Sequence, residues 1–213
     1  MDKIQVMIVE DDPVWVKILS SFLSQESDIF IKASANSKDE AVRMAAGIKI
    51  DVIIMDINLS ENLKDGVVAA LEIKEFSDAK IIMLTSYNDD NLIKDSFEVG
   101  VVDYLLKEDY LDLPNTIRKT CNNRSSIQVI LDDYARLKKD ERLKELTAAE
   151  KEVFELIEQG LSQSQIASKL SKTNNTLRTQ VKNILKKLGA KNSKEAIKKI
   201  KFKGLLDKYY YKN

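Results

Sequence analysis

The sequence predicts an α/β domain with a doubly wound, five-stranded parallel sheet, followed by an all-α domain that contains a helix-turn-helix. Three observations lead to this fold class. The 213 residues suit two domains of about 100 residues each, so that each half can bury its own core. The first half alternates short apolar runs with stretches of helical period. In the second half the patterns are helical, and basic residues predominate.

Five short apolar runs, partly β-branched, supply the predicted strands, and they cover residues 3–10, 29–35, 51–56, 80–86 and 101–107. Such runs are typical of parallel strands that are buried on both faces. Helical patterns follow the runs, at residues 13–23, 38–48, 66–76, 89–99 and 111–121. In the first of these helices Asp12 is the predicted N-cap and Pro13 the first helical residue. Right-handed crossovers then place the ligand site beyond the carboxyl ends of the strands.

Polar side chains stand where four of these runs end, and they are Glu10, Asp11, Asp56, Thr85 and Lys107. Because parallel strands end at the same edge of a sheet, we expect these groups to converge on one pocket. Three crowded carboxylates repel one another by roughly several kcal/mol, so they should raise one another's pKa or recruit a cation. Oxygen ligands alone fit Mg²⁺.

Residues 126–144 contain neither glycine nor proline and predict an amphipathic linker helix. Its apolar side chains recur at helical spacing and are Ile127, Ile130, Leu131, Tyr134 and Leu137. This helix could pack on the last helix of the first domain, bridge to the second domain, or pair with its copy in a dimer. We expect domains at residues 1–121 and 146–213, joined by a helical linker at 122–145.

The second domain begins with a predicted capping box, in which Thr147 is the N-cap and Glu150 follows three residues later. Its first helix stops at Gly160, and a short helix covers residues 163–170. The next helix has one apolar face, while its opposite face carries Arg178, Thr179, Lys182, Lys186 and Lys187. Two helices with a short turn between them, the second basic on its exposed face, are typical of a helix-turn-helix that enters a DNA major groove.

Composition excludes several kinds of chemistry. The chain has no histidine, which rules out Ser-His-Asp and Cys-His catalysis, His-ligated zinc and a self-contained phosphohistidine relay. Its one cysteine, Cys121, cannot form an internal disulfide, and we expect it to be inert. No apolar run approaches about 18 residues and the N-terminus has no targeting pattern, so we expect a cytoplasmic protein without membrane contact.

Charge is unevenly distributed, although the net charge is zero. Residues 1–121 carry 13 basic and 23 acidic side chains, whereas residues 146–213 carry 15 basic and 6 acidic ones. A strongly basic C-terminal segment indicates a polyanionic partner, and nucleic acid is the commonest.

The five polar residues at the strand ends carry a resemblance to a known family. Residues 1 to about 121 resemble the receiver domain of two-component response regulators, which has a flavodoxin-like fold. The resemblance implies that Asp56 is the phosphoacceptor, and a carboxylate that attacks phosphorus does form an acyl phosphate. It implies a Mg²⁺ site whose ligands are Asp11, Asp56 and the backbone carbonyl of Asn58, with Glu10 assisting through water.

The same resemblance assigns the remaining residues of the pocket. Thr85 would bind the phosphoryl group, Lys107 would pair with it, and Tyr104 would take part in the switch. Two features depart from the family pattern. Glu108 stands where a proline, joined by a cis bond, usually follows the lysine, so the geometry of the Lys107–Glu108 bond is left open. The segment 56–66 is also about two residues longer than usual and lacks proline, so the pattern does not predict how accessible Asp56 is.

The stretches LTAAEKEVFELIEQGLSQSQIASKL and TLRTQVKNILKKLGAKNSKEAI resemble the LuxR-type output domain of the NarL/FixJ class of regulators. This resemblance implies that bases or nearby phosphates are contacted by Arg178, Thr179 and Lys182, and the DNA backbone by Thr176, Lys186 and Lys187. Two features depart from the pattern. They are the residues SKTNN, which precede Thr176, and Ser193, which stands where arginine is usual.

The leading hypothesis is therefore a phosphorylation-activated, DNA-binding transcription regulator. Its expected partners are a sensor histidine kinase, double-stranded operator DNA, a second copy of the chain when phosphorylated and, as a further candidate, RNA polymerase. We expect no enzymatic activity beyond its own phosphotransfer and dephosphorylation. One rival is a Mg²⁺-dependent aspartyl-phosphate phosphatase, although Asn58 stands where such enzymes usually carry a second carboxylate. Another is an interaction module that acts without phosphorylation.

Overall fold

The computed structural model describes residues 3–60, 64–122 and 126–202. The chain divides into two units, Met1–Asp132 and Asp133–Asn213. The first contains a five-stranded, all-parallel sheet with helices around it, and the second is helical over its described residues. The fold class predicted from the sequence is confirmed.

The sheet has the strand order β2-β1-β3-β4-β5. Its strands are β1 (Ile4–Val9), β2 (Ile29–Ala35), β3 (Val52–Met55), β4 (Lys80–Thr85) and β5 (Asp103–Leu106). Every residue of β3 is buried, which explains why this part of the sequence is apolar without alternation. Because all pairings are parallel, the carboxyl ends of the strands lie at one edge.

The helices of this unit follow the strands in the predicted alternation. They are α1 (Pro13–Leu23), α2 (Lys38–Gly47), α3 (Asp65–Ile73), α4 (Asp90–Glu98) and α5 (Leu113–Asn122). The predicted N-cap of α1 is present, since the Asp12 carboxylate accepts a hydrogen bond of 2.8 Å from the Val14 amide. Helices α1 and α5 share one core with the sheet, in which Leu19 and Ile117 join Ile54.

The last helix of the unit begins later than the sequence predicted, at Leu113 and not at residue 111. A 3₁₀ helix, Lys107–Asp112, occupies the segment before it. Within this segment Tyr110 packs edge to face against Trp15 and Phe22 of α1, with ring centroids 5.8 and 5.4 Å apart. We call these three rings the aromatic cluster. The described part of the chain contains no cis peptide, so the Lys107–Glu108 bond is trans.

The predicted linker helix is present as α6 (Ser126–Arg142), and the boundary between the two units falls within it, after Asp132. Ile130 and Leu137 on α6 are 67% and 64% exposed. The C-terminal part of α6 belongs to the second unit, where Lys139 pairs with Glu158 at 2.5 Å and Arg142 donates to the Ile200 carbonyl at 2.9 Å.

The second unit contains the helices α7 (Ala148–Glu158), α8 (Gln163–Lys169), α9 (Asn174–Lys187) and α10 (Ser193–Phe202). The capping box predicted at Thr147 and Glu150 is present, and a second one joins Ser162 and Gln165 at the start of α8. The core of the unit is apolar and includes Val153, Phe154, Ile166, Leu177, Val181, Ile184 and Ile200. Among the described helices of the chain, none has the length and apolar composition that crossing a membrane requires.

An ionic clamp joins α5 to the segment that precedes β2. Arg118 donates two hydrogen bonds to Asp28, from Nε at 2.8 Å and from a terminal nitrogen at 2.7 Å, and also pairs with Glu26. This bidentate geometry lowers the pKa of Asp28 from 3.8 to about 2, with Arg118 as the main cause.

We expect the Arg118 clamp to give the first unit an acid-sensitive part of its stability. Since the pKa of Asp28 is lower in the folded chain, its contribution is complete above about pH 4 and is lost as the pH falls towards 2. Arg118→Ala should therefore lower the denaturant midpoint at pH 6, and the difference from the parent should shrink at pH 3. Unfolding followed by the emission of Trp15, the one tryptophan, reports on this unit. If Arg118→Ala lowered the denaturant midpoint by the same amount at pH 6 and pH 3, the pairing with Asp28 would not be the source of this stability.

Candidate functional site

The polar groups predicted at the strand ends do converge at the carboxyl edge of the sheet. Glu10 and Asp11 directly follow β1, and Asp56 directly follows β3. One carboxylate oxygen from each lies within 4.8 Å of the others. Glu10 and Asp56 are buried, at 2% and 7% exposure, whereas Asp11 is exposed. The arrangement is an acidic pocket with one carboxylate that opens to solvent.

Lys107, the first residue after β5, neutralises part of this charge. Its ammonium lies 2.6 Å from Glu10 Oε2 and 2.8 Å from Asp56 Oδ2. Burial alone would lower the pKa of Lys107, but its hydrogen bonds to Asp56 and Glu10 outweigh burial and raise the pKa. The ammonium is therefore charged at neutral pH.

The pKa of Glu10 is raised in the pocket. Burial raises the pKa of Glu10 from 4.5 to about 7, and the negative charge of Asp56 acts in the same direction. The hydrogen bond from Lys107 and a weaker one from the Asp12 amide, at 3.3 Å, oppose the rise. Burial is therefore the main cause of the raised pKa of Glu10, and the predicted repulsion between carboxylates is a smaller contribution.

The backbone around Asp56 is fixed by a close contact that the sequence did not disclose. Gly66, at the start of α3, donates its amide to the Ile57 carbonyl at 2.8 Å. A Cβ at position 66 would lie 1.8 Å from the carbonyl oxygen of Asp56 and 2.9 Å from the Cα of Ile57. Only glycine fits here, because a backbone atom cannot move aside as a flexible side chain can. Asp56 Oδ1 also accepts a 2.6 Å bond from the Ile57 amide.

Asn58 is the remaining residue of the predicted metal set. Its side-chain oxygen accepts a hydrogen bond of 3.1 Å from the Lys64 amide, at the entry to α3. This bond fixes the Asn58 side chain, and the part of its backbone carbonyl in a metal site stays a prediction. The carboxylates of Glu10, Asp11 and Asp56 form an oxygen-only donor set, which is the chemistry that Mg²⁺ prefers.

Thr85 and Tyr104, the predicted switch residues, both bond to the backbone of one residue. Thr85 ends β4 and is fully buried, and its hydroxyl accepts a 3.3 Å bond from the Tyr87 amide. The Tyr104 hydroxyl donates to the Tyr87 carbonyl at 2.6 Å. Burial raises the pKa of Tyr104 to about 12, helped by the charges of Asp89 and Asp56, so the phenol keeps its proton. Tyr87 therefore connects the two residues, a role that no sequence pattern indicated.

In the second unit, helix α9 presents the predicted basic face. Leu177, Val181 and Ile184 are buried against the core. The residues predicted to contact DNA are all exposed on this helix and are Thr176, Arg178, Thr179, Lys182, Lys186 and Lys187.

Lys187 has an ammonium that is already bound within the unit. It lies 2.6 Å from Glu150 Oε2, and that carboxylate also accepts the Thr147 amide at 2.8 Å. The bond from Lys187 lowers the pKa of Glu150. Glu150 is only 7% exposed and needs a partner for its charge, which explains why Lys187 bonds inward. The expected phosphate contact from Lys187 would have to break this pair.

Comparison with known proteins agrees with both units. Residues 6–118 match the response regulator receiver domain family, and residues 144–200 match the luxR family of bacterial regulatory proteins. The chain belongs to the response regulators. This regulator is similar to the response regulator protein VraR of Staphylococcus saprophyticus, with 36% identity over 199 residues that cover 91% of the chain and 94% of VraR.

Solved structures are similar at the level of fold. The response regulator domain of Thermotoga maritima CheB matches 57% of the regulator and 98% of its own chain, with 26% identity and a TM-score of 0.52. The RcsB response regulator of Salmonella typhimurium matches 92% of the regulator and 97% of its own chain, with 23% identity and a TM-score of 0.51. The predicted function class is confirmed: the regulator is a DNA-binding transcription regulator of a two-component system.

We expect Gly66→Ala to damage the site by displacing the Asp56 backbone. The added Cβ cannot be accommodated without a shift, so the first unit should lose about 1–3 kcal/mol of stability or more. Gly47→Ala is the matched control, because a Cβ at position 47 meets nothing within 4 Å. Denaturant unfolding followed by Trp15 emission measures both variants. Equal stability of Gly66→Ala and the parent would show that the contact is absent in solution.

Proposed function

We propose that the regulator is switched by phosphorylation of Asp56, with a partner sensor histidine kinase as the phosphodonor. The observation that carries the proposal is the position of the Lys107 ammonium, 2.6 Å from Glu10 and 2.8 Å from Asp56. A buried carboxylate next to a fixed cation is suited to accept a phosphoryl group, since the cation offsets charge on the transferring oxygens. The donor histidine has to come from another chain, because this one has none.

In the proposed transfer, a carboxylate oxygen of Asp56 attacks phosphorus and forms an acyl phosphate, while the phosphorus–nitrogen bond of the donor breaks. Bound Mg²⁺, held by Asp11, Asp56 and the Asn58 carbonyl with Glu10 nearby, would neutralise charge on the phosphoryl oxygens. Lys107 then pairs with the phosphoryl group. The regulator's own chemistry is limited to this transfer and to hydrolysis of the acyl phosphate, in which water takes the phosphoryl group as inorganic phosphate and the Asp56 carboxylate is restored. A phosphatase gains no support, because Asn58 supplies no second carboxylate and its side chain binds the Lys64 amide.

The signal leaves the pocket through Thr85 and Tyr104. In the proposed switch the Thr85 hydroxyl turns to the phosphoryl group and gives up its bond to the Tyr87 amide. Because Tyr104 bonds to the carbonyl of the same residue, it responds to any shift of Tyr87.

The output is binding to double-stranded operator DNA through α9. Arg178, Thr179 and Lys182 face the bases or nearby phosphates, and Thr176 and Lys186 contact the backbone. Lys187 stays paired with Glu150 and does not contact the DNA.

One output domain offers few base contacts, so we propose that the phosphorylated regulator forms a homodimer on half-sites about one helical turn apart. RNA polymerase is the further partner proposed for a transcription regulator bound in this way. Since bacterial DNA is its target, we place the protein in the cytoplasm.

Asp56→Asn should abolish Mg²⁺-dependent labelling by a small phosphodonor such as acetyl phosphate, because an amide cannot attack phosphorus. Intact-mass measurement reports the added phosphoryl group. Asp51→Asn is a matched control, since Asp51 directly precedes β3, at the opposite end of the strand from Asp56, and its carboxylate accepts a hydrogen bond of 2.8 Å from the Gln5 amide. Labelling of Asp56→Asn at the parent's rate would mean that another residue is the phosphoacceptor. Absence of labelling in the parent as well would favour the phosphorylation-independent module.

Arg178→Ala and Lys186→Ala should affect DNA binding in different ways. An arginine can make two hydrogen bonds to a guanine edge, so Arg178→Ala should reduce the free-energy preference for operator over random DNA by about 1–3 kcal/mol. A lysine on a phosphate adds affinity without sequence preference, so Lys186→Ala should keep this preference. It should also make the slope of log binding constant against log salt concentration shallower by about one. Binding of the phosphorylated regulator to both DNAs over a salt series measures these quantities.

Lys187→Ala provides the comparison for Lys186→Ala. Because the Lys187 ammonium is bound by Glu150, its removal should lower the stability of the second unit and leave the salt slope unchanged. Parental binding by both Arg178→Ala and Lys186→Ala would show that α9 does not contact DNA.

A further inference from the structure

The indole ring of Trp15 faces the ammonium of Lys107. The Lys107 Nζ lies 5.1 Å from the ring centroid, within the range of a cation–π interaction. The Lys107 side chain is only 8% exposed, so water screens this attraction weakly. Trp15 belongs to α1 and comes from outside the set of polar residues at the strand ends.

The aromatic cluster holds the indole in this position. Trp15 meets Tyr110 edge to face at an interplanar angle of 80°, and Tyr110 meets Phe22 at 72°. Tyr110 belongs to the 3₁₀ helix that begins at Lys107. The cluster therefore fixes both the ring and the backbone segment that carries the lysine. It does so where Glu108 replaces the proline that usually stiffens this segment.

Lys107 needs such support because its side chain is a flexible stem with a compact charge at its end. In the unphosphorylated protein the ammonium is held by Glu10 and Asp56. When Asp56 attacks phosphorus, the negative charge that faces Lys107 moves from the carboxylate to the phosphoryl oxygens. A ring that attracts the ammonium confines it to the pocket while its carboxylate partner changes.

We infer that Trp15 is a positioning residue for Lys107, which presents the ammonium to the transferring phosphoryl group. This inference rests on the proposed phosphorylation of Asp56. It predicts that the π-electron density of the indole, and not only its volume, sets the rate of phosphoryl transfer. An interaction of this type corresponds to a change of about two- to fivefold in rate.

The single tryptophan allows a test that preserves the shape of the ring. The full-length regulator is produced with tryptophan, monofluorotryptophan or trifluorotryptophan, because fluorine withdraws density from the ring face with little change in size. The rate of labelling by acetyl phosphate with Mg²⁺ is measured for each protein, with Lys107 and with Lys107→Ala. We expect the rate to fall progressively with fluorination, by about two- to fivefold in total, and to be insensitive to fluorination in Lys107→Ala.

Genetic variants give an independent comparison. Trp15→Phe keeps a weaker aromatic face and should retain more of the rate than Trp15→Leu, again only when Lys107 is present. Circular dichroism checks that each variant is folded. If Trp15→Leu does not fold, the fluorinated proteins alone decide the test. A fluorination effect of the same size in Lys107→Ala, or no effect in either protein, would overturn the role of Trp15.

Asp56→Asn distinguishes failure of this inference from failure of the proposed function. If Asp56→Asn abolishes labelling while fluorination changes nothing, only the role of Trp15 is wrong. If Asp56→Asn is labelled like the parent, the phosphoacceptor assignment is wrong, and the inference about Trp15 is overturned with it.

Discussion

Burial of two carboxylates beside one ammonium is the constraint on which the first unit depends. Glu10, Asp56 and Lys107 are each at most 7% exposed, and a buried charge without a partner costs several kcal/mol. The three residues follow three different strands, β1, β3 and β5, so their contact requires those strands to end together. A slip of one strand would separate the charges and leave them unpaired. The site therefore specifies the alignment of the sheet, and the sheet in turn positions the site.

An ion pair between a buried carboxylate and an exposed lysine plays a comparable part in the output unit. Glu150 caps the start of α7 through the Thr147 amide and binds the Lys187 ammonium near the end of α9. This pair joins α7 to the helix that is proposed to enter the major groove. Both units thus use a buried carboxylate and a lysine to fix an element on which function depends. The lysine of such a pair contributes through its partner, so its presence on a basic helix does not by itself indicate a contact with phosphate.

Parallel topology explains why so much of the pocket could be predicted from sequence. Once Asp56 and Thr85 are assigned to strand ends, the shared edge of a parallel sheet brings them together whatever the details of packing. Contacts between a backbone and its neighbour are of another kind. Nothing in the pattern around Gly66 specifies its approach to the Asp56 carbonyl, and Tyr87 takes part through its amide and carbonyl, which every residue has. Periodicity likewise placed Lys187 on the outer face of α9 but could not identify Glu150 as its partner.

The late start of α5 shows how one such contact connects fold and chemistry. Helical period began at residue 111 in the sequence, yet the structure has a 3₁₀ segment from Lys107 to Asp112 with a kink at Asp109, where the backbone leaves helical φ and ψ. Tyr110 follows this kink directly and packs edge to face against Trp15 and Phe22 of α1. The indole of the same aromatic cluster lies 5.1 Å from the Lys107 ammonium. The segment that departs from the helical prediction therefore connects α1 to the environment of Lys107.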